Sequence, residues 1–309
     1  MPATETRAPV WGEAAPTARI GFVAVTACVA MVAAVMLAAL IGPDAPRLSD
    51  ATDGDSELIA RVEALLADRN SGHDAVAVAV IDGDDGDDVR FAGFGDQIDG
   101  SPVNESTAFE IGSVSKPMTG MLLADMIDDG EVDAETTLRE AAAPQFDIDG
   151  KGADATLEAL ASHRSGYPRL PLSTMPWAIL SSFTGGDPYS GSAREVLDAA
   201  AGTDSESNGF SYSNLGMAAL GGGLAAHQGT TYADLLRQRL LDPVGMDATV
   251  AAESSNTLPA ARVDAETAAG RATDEWLASG WQPAGIGILS TTGDLARLAV
   301  AVIDGTAPG

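Results

Sequence analysis

A long apolar segment, residues 20–42, contains no charged residue. A helix of that length spans the hydrocarbon core of a bilayer, which is ~30 Å thick. Arg7 and Arg19 precede the segment and acidic residues follow it, so the positive-inside rule places residues 1–19 in the cytoplasm and the body of the chain outside. The alternative is a cleaved signal peptide. The segment exceeds the ~7–15 apolar residues of such a peptide and therefore favours an uncleaved anchor.

The body of the chain, residues 56–309, follows a linker over 43–55 that is rich in Pro, Asp and Ser. Apolar residues recur at helical spacing at its start and predict an amphipathic helix over 56–69. A short Val-rich run, 75–81, and a second segment, 89–94, flank an Asp/Gly-rich segment and together predict a β-hairpin with an acidic turn. A calcium site is the alternative for that turn, but its acidic residues lack the spacing of an EF-hand loop.

Beyond residue 113 the pattern changes to helical spacing. Capping residues and terminal glycines bound candidate helices over 114–128, 193–201, 215–227, 231–241 and 293–303. We expect Pro243 to end the fourth of these, because proline disrupts a helix interior. The segment 165–191 holds Ser, Thr, Gly and Pro at high density and is predicted to be mostly loop.

The chain is strongly acidic, since 17 basic and 45 acidic residues leave a net charge of −28. A field of that sign repels phosphate backbones, so we do not expect nucleic-acid binding. Cys28 is the single cysteine, and His73, His163 and His227 lie far apart without HExxH spacing. The sequence therefore predicts no internal disulfide, no metal site and no cofactor.

Lysine occurs only twice, as Lys116 and Lys151, and Lys116 stands three residues after Ser113 at the start of an apolar helix. An i, i+3 spacing puts both side chains on one helical face. A serine hydroxyl needs a neighbouring base to act as a nucleophile. A partly desolvated lysine either serves as that base or stays charged and orients another proton acceptor. The alternative is a surface serine and lysine without a catalytic role.

A second polar cluster, Tyr212-Ser213-Asn214, lies where a loop leads into an apolar helix. Its structural interpretation is helix capping by Ser213 or Asn214. Its functional interpretation makes Tyr212 a proton relay close to Lys116, which lowers the pKa of the phenol. In that interpretation Asn214 donates to a substrate carbonyl and accepts a hydrogen bond from the lysine.

Five segments, in this order, resemble the serine β-lactamase and penicillin-binding-protein superfamily, and most closely its class C and esterase-like branch: FEIGSVSKPMTGMLL (109–123), LASHRSGYP (160–168), GFSYSNLGMAALGG (209–222), LLDPVGMDAT (240–249) and PAGIGILSTTGDLARL (283–298). The resemblance implies an α+β fold of the β-lactamase/transpeptidase type. In that fold an antiparallel sheet with flanking helices joins a helical domain, and the cleft lies between them. The predicted membrane helix precedes this α+β domain.

The resemblance also implies the roles of site residues. Ser113 is expected to be the acylated nucleophile, Lys116 its proton partner, and Tyr212 the base and later the acid. Asn214 is expected to contact the substrate and the lysine. His163 and Ser165 match a structural block of the family and are expected to serve packing and a turn. These roles predict an acyl-enzyme mechanism on a small-molecule or peptide acyl donor.

The sequence departs from the family's pattern at a third motif, Lys-Thr-Gly or His-x-Gly, which follows the helical domain on a strand. No lysine follows Lys151 and no histidine follows His227. We therefore expect the C-terminal strands of the sheet to be missing. The resulting prediction is a single-pass protein of the cell membrane with an extracytoplasmic serine hydrolase domain, acting on an ester, amide, D-alanyl peptide or β-lactam. The alternative is a catalytically impaired member or fragment that acts as a binding or regulatory module.

Overall fold

The computed structural model describes residues 45–67, 72–82, 88–204, 209–267 and 270–309. The predicted cytoplasmic segment, the predicted membrane anchor and the tip of the acidic turn lie outside these residues. Among the described residues, no helix combines the length and the hydropathy that crossing a bilayer requires.

Short strands and many helices make up the described part of the chain. The strands are β1 (Thr52–Gly54), β2 (Ala75–Asp82), β3 (Asp88–Gly95), β4 (Phe109–Glu110), β5 (Val250–Ala251) and β6 (Ile288–Ser290). The α-helices are α1 (Ser56–Leu66), α2 (Lys116–Asp128), α3 (Leu138–Ala142), α4 (Leu157–Ala161), α5 (Met175–Thr184), α6 (Ala193–Ala201), α7 (Asn214–Gln228), α8 (Tyr232–Leu236), α9 (Asp242–Val244) and α10 (Thr292–Ile303). This mixture of sheet and helix agrees with the predicted α+β class.

The predicted hairpin forms the N-terminal sheet. Strands β2 and β3 pair antiparallel with Val78 opposite Ala92, and β1 pairs with the other edge of β3. Strand β1 lies within the segment predicted to be a linker, so part of that segment joins the sheet. Helix α1 begins where predicted because Asp55 caps it, accepting a hydrogen bond from Leu58 N at 2.7 Å. It ends three residues before the predicted end.

A second antiparallel sheet joins segments that are far apart in sequence. Strand β6 is its centre and pairs with β4 on one side and β5 on the other. Phe109 of β4 lies opposite Ser290 of β6. Because β4 leads directly into Ser113, this pairing holds the start of the candidate site against the segment that precedes β6.

Helix α7 lies at the centre of the main hydrophobic core, and its residues from Asn214 to Ala226 are all buried. Glycines inside this helix allow neighbours to approach closely. A Cβ on Gly221 would lie 2.4 Å from Pro283 Cβ, and one on Gly223 would lie 2.9 Å from Leu138 Cδ1. The core therefore depends on the absence of side chains at these two positions.

The prediction that Pro243 ends the fourth candidate helix is wrong. A π-helical turn over Arg237–Leu241 precedes the proline, which lies in the first turn of α9, and the helical path continues through it. The helical path ends instead at Gly245, which adopts φ 75°.

The prediction that 165–191 is mostly loop is wrong for its middle part, where α5 forms. Pro176 lies in the first turn of α5, and Gly185 ends the helix at φ 80°.

The predicted helices over 193–201, 215–227 and 293–303 are confirmed to within one residue at each end. The helix predicted over 114–128 is confirmed from Lys116, and a 3₁₀ turn, Gly112–Ser115, precedes it.

Candidate active site

Ser113 lies in the 3₁₀ turn that leads into α2, and Lys116 is the first residue of that helix. Lys116 Nζ donates to Ser113 Oγ at 2.8 Å. The amine also donates to the carbonyl oxygen of Ala284 at 2.6 Å. Only 6% of Lys116 is exposed. The structure therefore brings the serine and lysine together as the i, i+3 spacing predicts.

The surroundings of Lys116 lower the pKa of its amine. Burial lowers the pKa of Lys116 below that of a free lysine, and the positive charge of Arg169 acts in the same direction, while Tyr212 opposes both. A lowered pKa leaves a larger fraction of the amine able to accept a proton near neutral pH.

The hydroxyl of Tyr212 reaches the same serine from the loop before α7. It donates to Ser113 Oγ at 2.7 Å, and Lys116 Nζ lies 5.1 Å from the centroid of the ring. Burial acts to raise the pKa of Tyr212. The neighbouring Lys116, Ser113 and Arg169 outweigh that effect, so the pKa of the phenol lies below its ordinary value.

His163 supports the loop that carries Tyr212. Its Nδ1 accepts a hydrogen bond from Ser213 N at 3.2 Å, and its ring centroid lies 4.6 Å from that of Tyr212. Ser165 is buried, and its Oγ accepts a hydrogen bond from Tyr167 N at 3.4 Å. These contacts match the packing and turn roles expected of His163 and Ser165.

Asn214 begins α7, and Ser213 is the residue that caps the helix, its Oγ accepting from Gly216 N at 2.8 Å. Only 4% of Asn214 is exposed. Its Nδ2 donates to the hydroxyl of Tyr189 at 3.0 Å, and its Oδ1 has no hydrogen-bond partner among the described residues. The amide thus pairs with Tyr189, whereas the sequence predicted a contact with Lys116.

Three contributors to the site were not predicted from the sequence: Tyr189, Arg169 and Ala284. The ring of Tyr189 packs against Trp276 and Trp281, with centroid distances of 5.5 and 5.3 Å. Tyr189 is one of four tyrosines in the chain, and that scarcity was the one available signal. The contact of Ala284 with Lys116 joins positions 168 residues apart, and no sequence pattern indicates it.

Gly285 allows the Ala284 carbonyl to reach Lys116. It adopts φ 100°, and a Cβ there would lie 2.1 Å from the carbonyl oxygen of Gly112 and 2.8 Å from Ser115 Oγ. The backbone at this position therefore packs directly on the turn that holds Ser113, and only glycine fits both the dihedral angle and the space.

The family follows from comparison with known proteins. The Beta-lactamase family model matches residues 62–308 of the sequence. The chain therefore belongs to the β-lactamase family, within the serine β-lactamase and penicillin-binding-protein superfamily that its motifs resemble. No curated protein matches the chain by sequence.

Solved structures share the fold at low sequence identity. The octameric penicillin-binding protein homologue from Pyrococcus abyssi has a TM-score of 0.62 and 20% identity, covering 79% of this chain and 55% of its own. The D-alanine carboxypeptidase AmpC from Burkholderia cenocepacia has a TM-score of 0.57 and 22% identity, covering 80% of this chain and 62% of its own. The D-amino acid amidase from Ochrobactrum anthropi SV3 has a TM-score of 0.62 and 23% identity, covering 82% and 71%. The chain thus spans less than two thirds of the length of the first two.

Proposed function

We propose that this chain is a serine hydrolase that forms an acyl-enzyme on Ser113. The observation that supports this proposal is the convergence of two proton-transfer groups on one oxygen. Lys116 Nζ lies 2.8 Å from Ser113 Oγ, and the hydroxyl of Tyr212 lies 2.7 Å from it. Both groups have a pKa below the ordinary value, which brings each nearer to neutral pH, where a general base is most effective.

In the acylation step, the proton of Ser113 passes to Lys116 or Tyr212, and Oγ forms a bond to the carbonyl carbon of the donor. The bond from that carbon to the leaving oxygen or nitrogen breaks, and the leaving group takes up the proton. In the second step a water molecule gives a proton to the same acceptor and its oxygen bonds to the acyl carbon. The ester bond to Ser113 breaks, and the serine regains its proton.

Asn214 is assigned to substrate binding beside this centre. Its Oδ1 is buried without a partner among the described residues, and an unpaired buried acceptor is costly unless a ligand satisfies it. An N–H of the acyl donor would provide that partner. Acyl transfer to Ser113 fits the donors that the sequence predicts, which are esters, amides, D-alanyl peptides and β-lactams.

We further propose that residues 20–42 anchor the chain in the cell membrane, with the hydrolase domain outside the cytoplasm. The proposal rests on the length of the uncharged segment and on the arginines before it. Full-length protein is expected to sediment with membranes after a carbonate wash, and a chain that starts at residue 43 is expected to stay in the supernatant. Recovery of both chains in the supernatant would contradict an anchor.

Covalent labelling tests the acyl-enzyme proposal. Full-length protein in detergent is treated with a fluorescent fluorophosphonate, and mass spectrometry locates the adduct. We expect the label on Ser113, none on Ser113→Ala, and labelling slowed by at least ~10²-fold in Lys116→Met, since the base contributes that much or more. Ser211→Ala removes an exposed serine next to Tyr212 and is expected to label as the wild type does.

Folded wild-type protein that takes no label would favour the alternative of a binding or regulatory module.

A further inference from the structure

Helix α5 directs small residues toward the body of the protein and large apolar residues away from it. The inward positions recur at helical spacing and are small: Thr174, Ala178, Ser181 and Gly185. Ser181 is 1% exposed, whereas Leu180 beside it is 50% exposed. A surface helix ordinarily has the reverse arrangement, in which the apolar side chains face the core.

The outward side of α5 forms a continuous apolar face, which begins before the helix. Its members are all exposed: Leu172, Met175, Pro176, Ile179 and Leu180, with Trp177 at the edge. No charged residue occurs between Arg169 and Asp187, although the chain has 45 acidic residues. An exposed apolar face of this kind is typical of a surface that contacts another apolar molecule or phase.

Contacts on the inward side hold α5 in this orientation. The carbonyl oxygen of Gly185 accepts a hydrogen bond from Asp274 N at 2.7 Å, and a Cβ on Gly185 would lie 2.8 Å from the carbonyl oxygen of Ala272. Trp177 Nε1 donates to the carbonyl oxygen of Asp187 at 3.0 Å, while half of the tryptophan stays exposed. A rotation of α5 that buried its apolar face would break these contacts.

Both ends of the segment that contains α5 are joined to the start of α7. Before α5, the carbonyl oxygen of Arg169 accepts a hydrogen bond from Leu215 N at 3.2 Å. After α5, the hydroxyl of Tyr189 accepts one from Asn214 Nδ2 at 3.0 Å. The apolar face therefore belongs to a segment that leaves the candidate active site and returns to it.

The chemistry of this face favours a lipid bilayer as its occupant. An uncharged apolar helix face enters the boundary between headgroups and acyl chains without the cost of removing a charge from water. Tryptophan is enriched at that boundary, because its ring contacts apolar groups while its N–H keeps a hydrogen bond, as that of Trp177 does. Residues 43–51 alone separate the proposed anchor from β1, so the anchor would keep the body of the chain at a membrane surface.

We propose that the apolar face of α5 docks on the surface of the bilayer and brings the candidate active site to the lipid. This inference rests on the proposed membrane anchor. The net charge of −28 opposes binding to anionic headgroups. The lipid surface that fits this chain is therefore a neutral one, such as phosphatidylcholine.

Quenching of a fluorophore by spin-labelled lipids tests the docking in the full-length chain. Cys28→Ala removes the single cysteine, and Leu180→Cys in that background carries an environment-sensitive fluorophore in phosphatidylcholine nanodiscs. A nitroxide near the headgroup is expected to lower the emission at least about twofold, because interfacial helices lie ~5–10 Å into the boundary. Val302→Cys in the same background is the matched control, since Val302 is an apolar residue of α10 with 55% exposure, and no quenching is expected there.

Two further measurements sharpen the test. Leu172→Cys places the fluorophore elsewhere on the same face and is expected to be quenched as well, and Leu180→Asp in that chain is expected to abolish the quenching. Phosphatidylglycerol in the nanodisc is expected to weaken the quenching at low salt, and high salt is expected to restore it. Circular dichroism confirms that each variant is folded.

Equal quenching at positions 180 and 302, or quenching at neither, would overturn the inference. Emission at position 180 that depends on protein concentration and not on lipid would assign the face to a second copy of the chain and overturn it too. Wild-type protein labelled at Cys28 tests the anchor separately, because a nitroxide deep in the acyl chains quenches that label only if the anchor is inserted. Quenching at Cys28 without quenching at position 180 would leave the anchor standing and refute the docking. If Cys28 is not quenched, phosphatidylcholine vesicles added to the chain labelled at position 180 decide the docking.

Discussion

The helical region around α7 and the N-terminal sheet differ in how they are held together. The sheet rests on a small core, in which the buried members are Leu58, Val62, Ala92 and Phe94, and its main pairing joins two strands adjacent in sequence. The helical region buries a far larger set of side chains and joins distant segments. The candidate site is supported by the second region, so its geometry depends on the packing of the helical region.

Hydrogen bonds around α2 also join segments of the helical region that are distant in sequence. Thr119 Oγ1 donates to the carbonyl oxygen of Pro283 at 2.9 Å and lies 2.8 Å from the hydroxyl of Tyr232. Together with the contact between Lys116 and Ala284, these bonds hold α2 against the segment before β6. Buried hydrogen bonds of this kind specify one arrangement, because an unpaired group there is costly.

The largest effect is expected for a change within the helical region that spares its packing. Tyr212→Phe is expected to lower kcat by roughly 10²–10⁴-fold with little change in thermal stability, because the phenol transfers a proton in the proposed mechanism and the residue is only partly buried. Steady-state kinetics measures the fall in kcat, and thermal unfolding measures the change in stability.

Tyr167→Phe is the matched control for that prediction. It removes a phenol whose oxygen donates to the carbonyl oxygen of Gly152 in the core. It is expected to lower the free energy of unfolding by about 1–2 kcal/mol and to leave kcat nearly unchanged. A stability loss in Tyr212→Phe that equals the activity loss would mean that Tyr212 is a packing residue.

Matched truncations in the two cores are expected to show the next largest effect. Leu220 is fully buried in α7, and Leu58 lies in the small core of the sheet. Leu220→Ala is expected to lower the free energy of unfolding by about 3–5 kcal/mol, and Leu58→Ala by about 2–3 kcal/mol, since a small core at the surface relaxes more readily. Urea denaturation measures both losses, and Ser113 labelling at the same temperature is expected to be unchanged in Leu58→Ala. Equal losses of the free energy of unfolding, or loss of Ser113 labelling in Leu58→Ala, would contradict the proposed difference between the two regions.

The smallest effect concerns Glu110, which precedes the turn of Ser113 and retains solvent exposure. Although Glu110 as a residue is exposed, partial desolvation of its carboxyl raises the pKa to about 7, the N–H of Gly287 opposes this, and the charge of Asp187 adds to it. A carboxyl whose pKa is raised by folding favours the folded state at low pH. That contribution is lost as pH rises from about 4.5 to about 7.

Glu110→Gln is therefore expected to gain stability relative to the wild type as pH rises through this interval. Thermal unfolding from pH 4 to pH 8 measures the difference. Glu140→Gln is the control of opposite sign: hydrogen bonds from Thr137 lower the pKa of Glu140 in the capping box of α3, so the wild type is expected to lose stability relative to this variant as pH falls. A pH-independent difference for Glu110→Gln would show that its carboxyl is not shifted.

Local features of the sequence determined much of this protein. The hairpin, the capping boxes at Ser192 and Thr137, and the approach of Lys116 to Ser113 each involve residues a few positions apart. Backbone dihedral angles and short-range hydrogen bonds determine such local geometry, so it can be predicted from the amino-acid sequence. The family resemblance extended this to Tyr212 and Asn214, which no local spacing connects to Ser113.

Tertiary structure alone decided the rest. The carbonyl of Ala284 on Lys116, the hydroxyl of Tyr189 on Asn214 and the guanidinium of Arg169 above Tyr212 join segments that come together only when the core around α7 closes. Helix α5 and the passage through Pro243 likewise depend on a capping glycine and a widened turn that composition does not reveal. Long-range contacts are determined by the packing of the whole body. Many chain paths satisfy the local conformational preferences, but only one of them also buries the apolar surface.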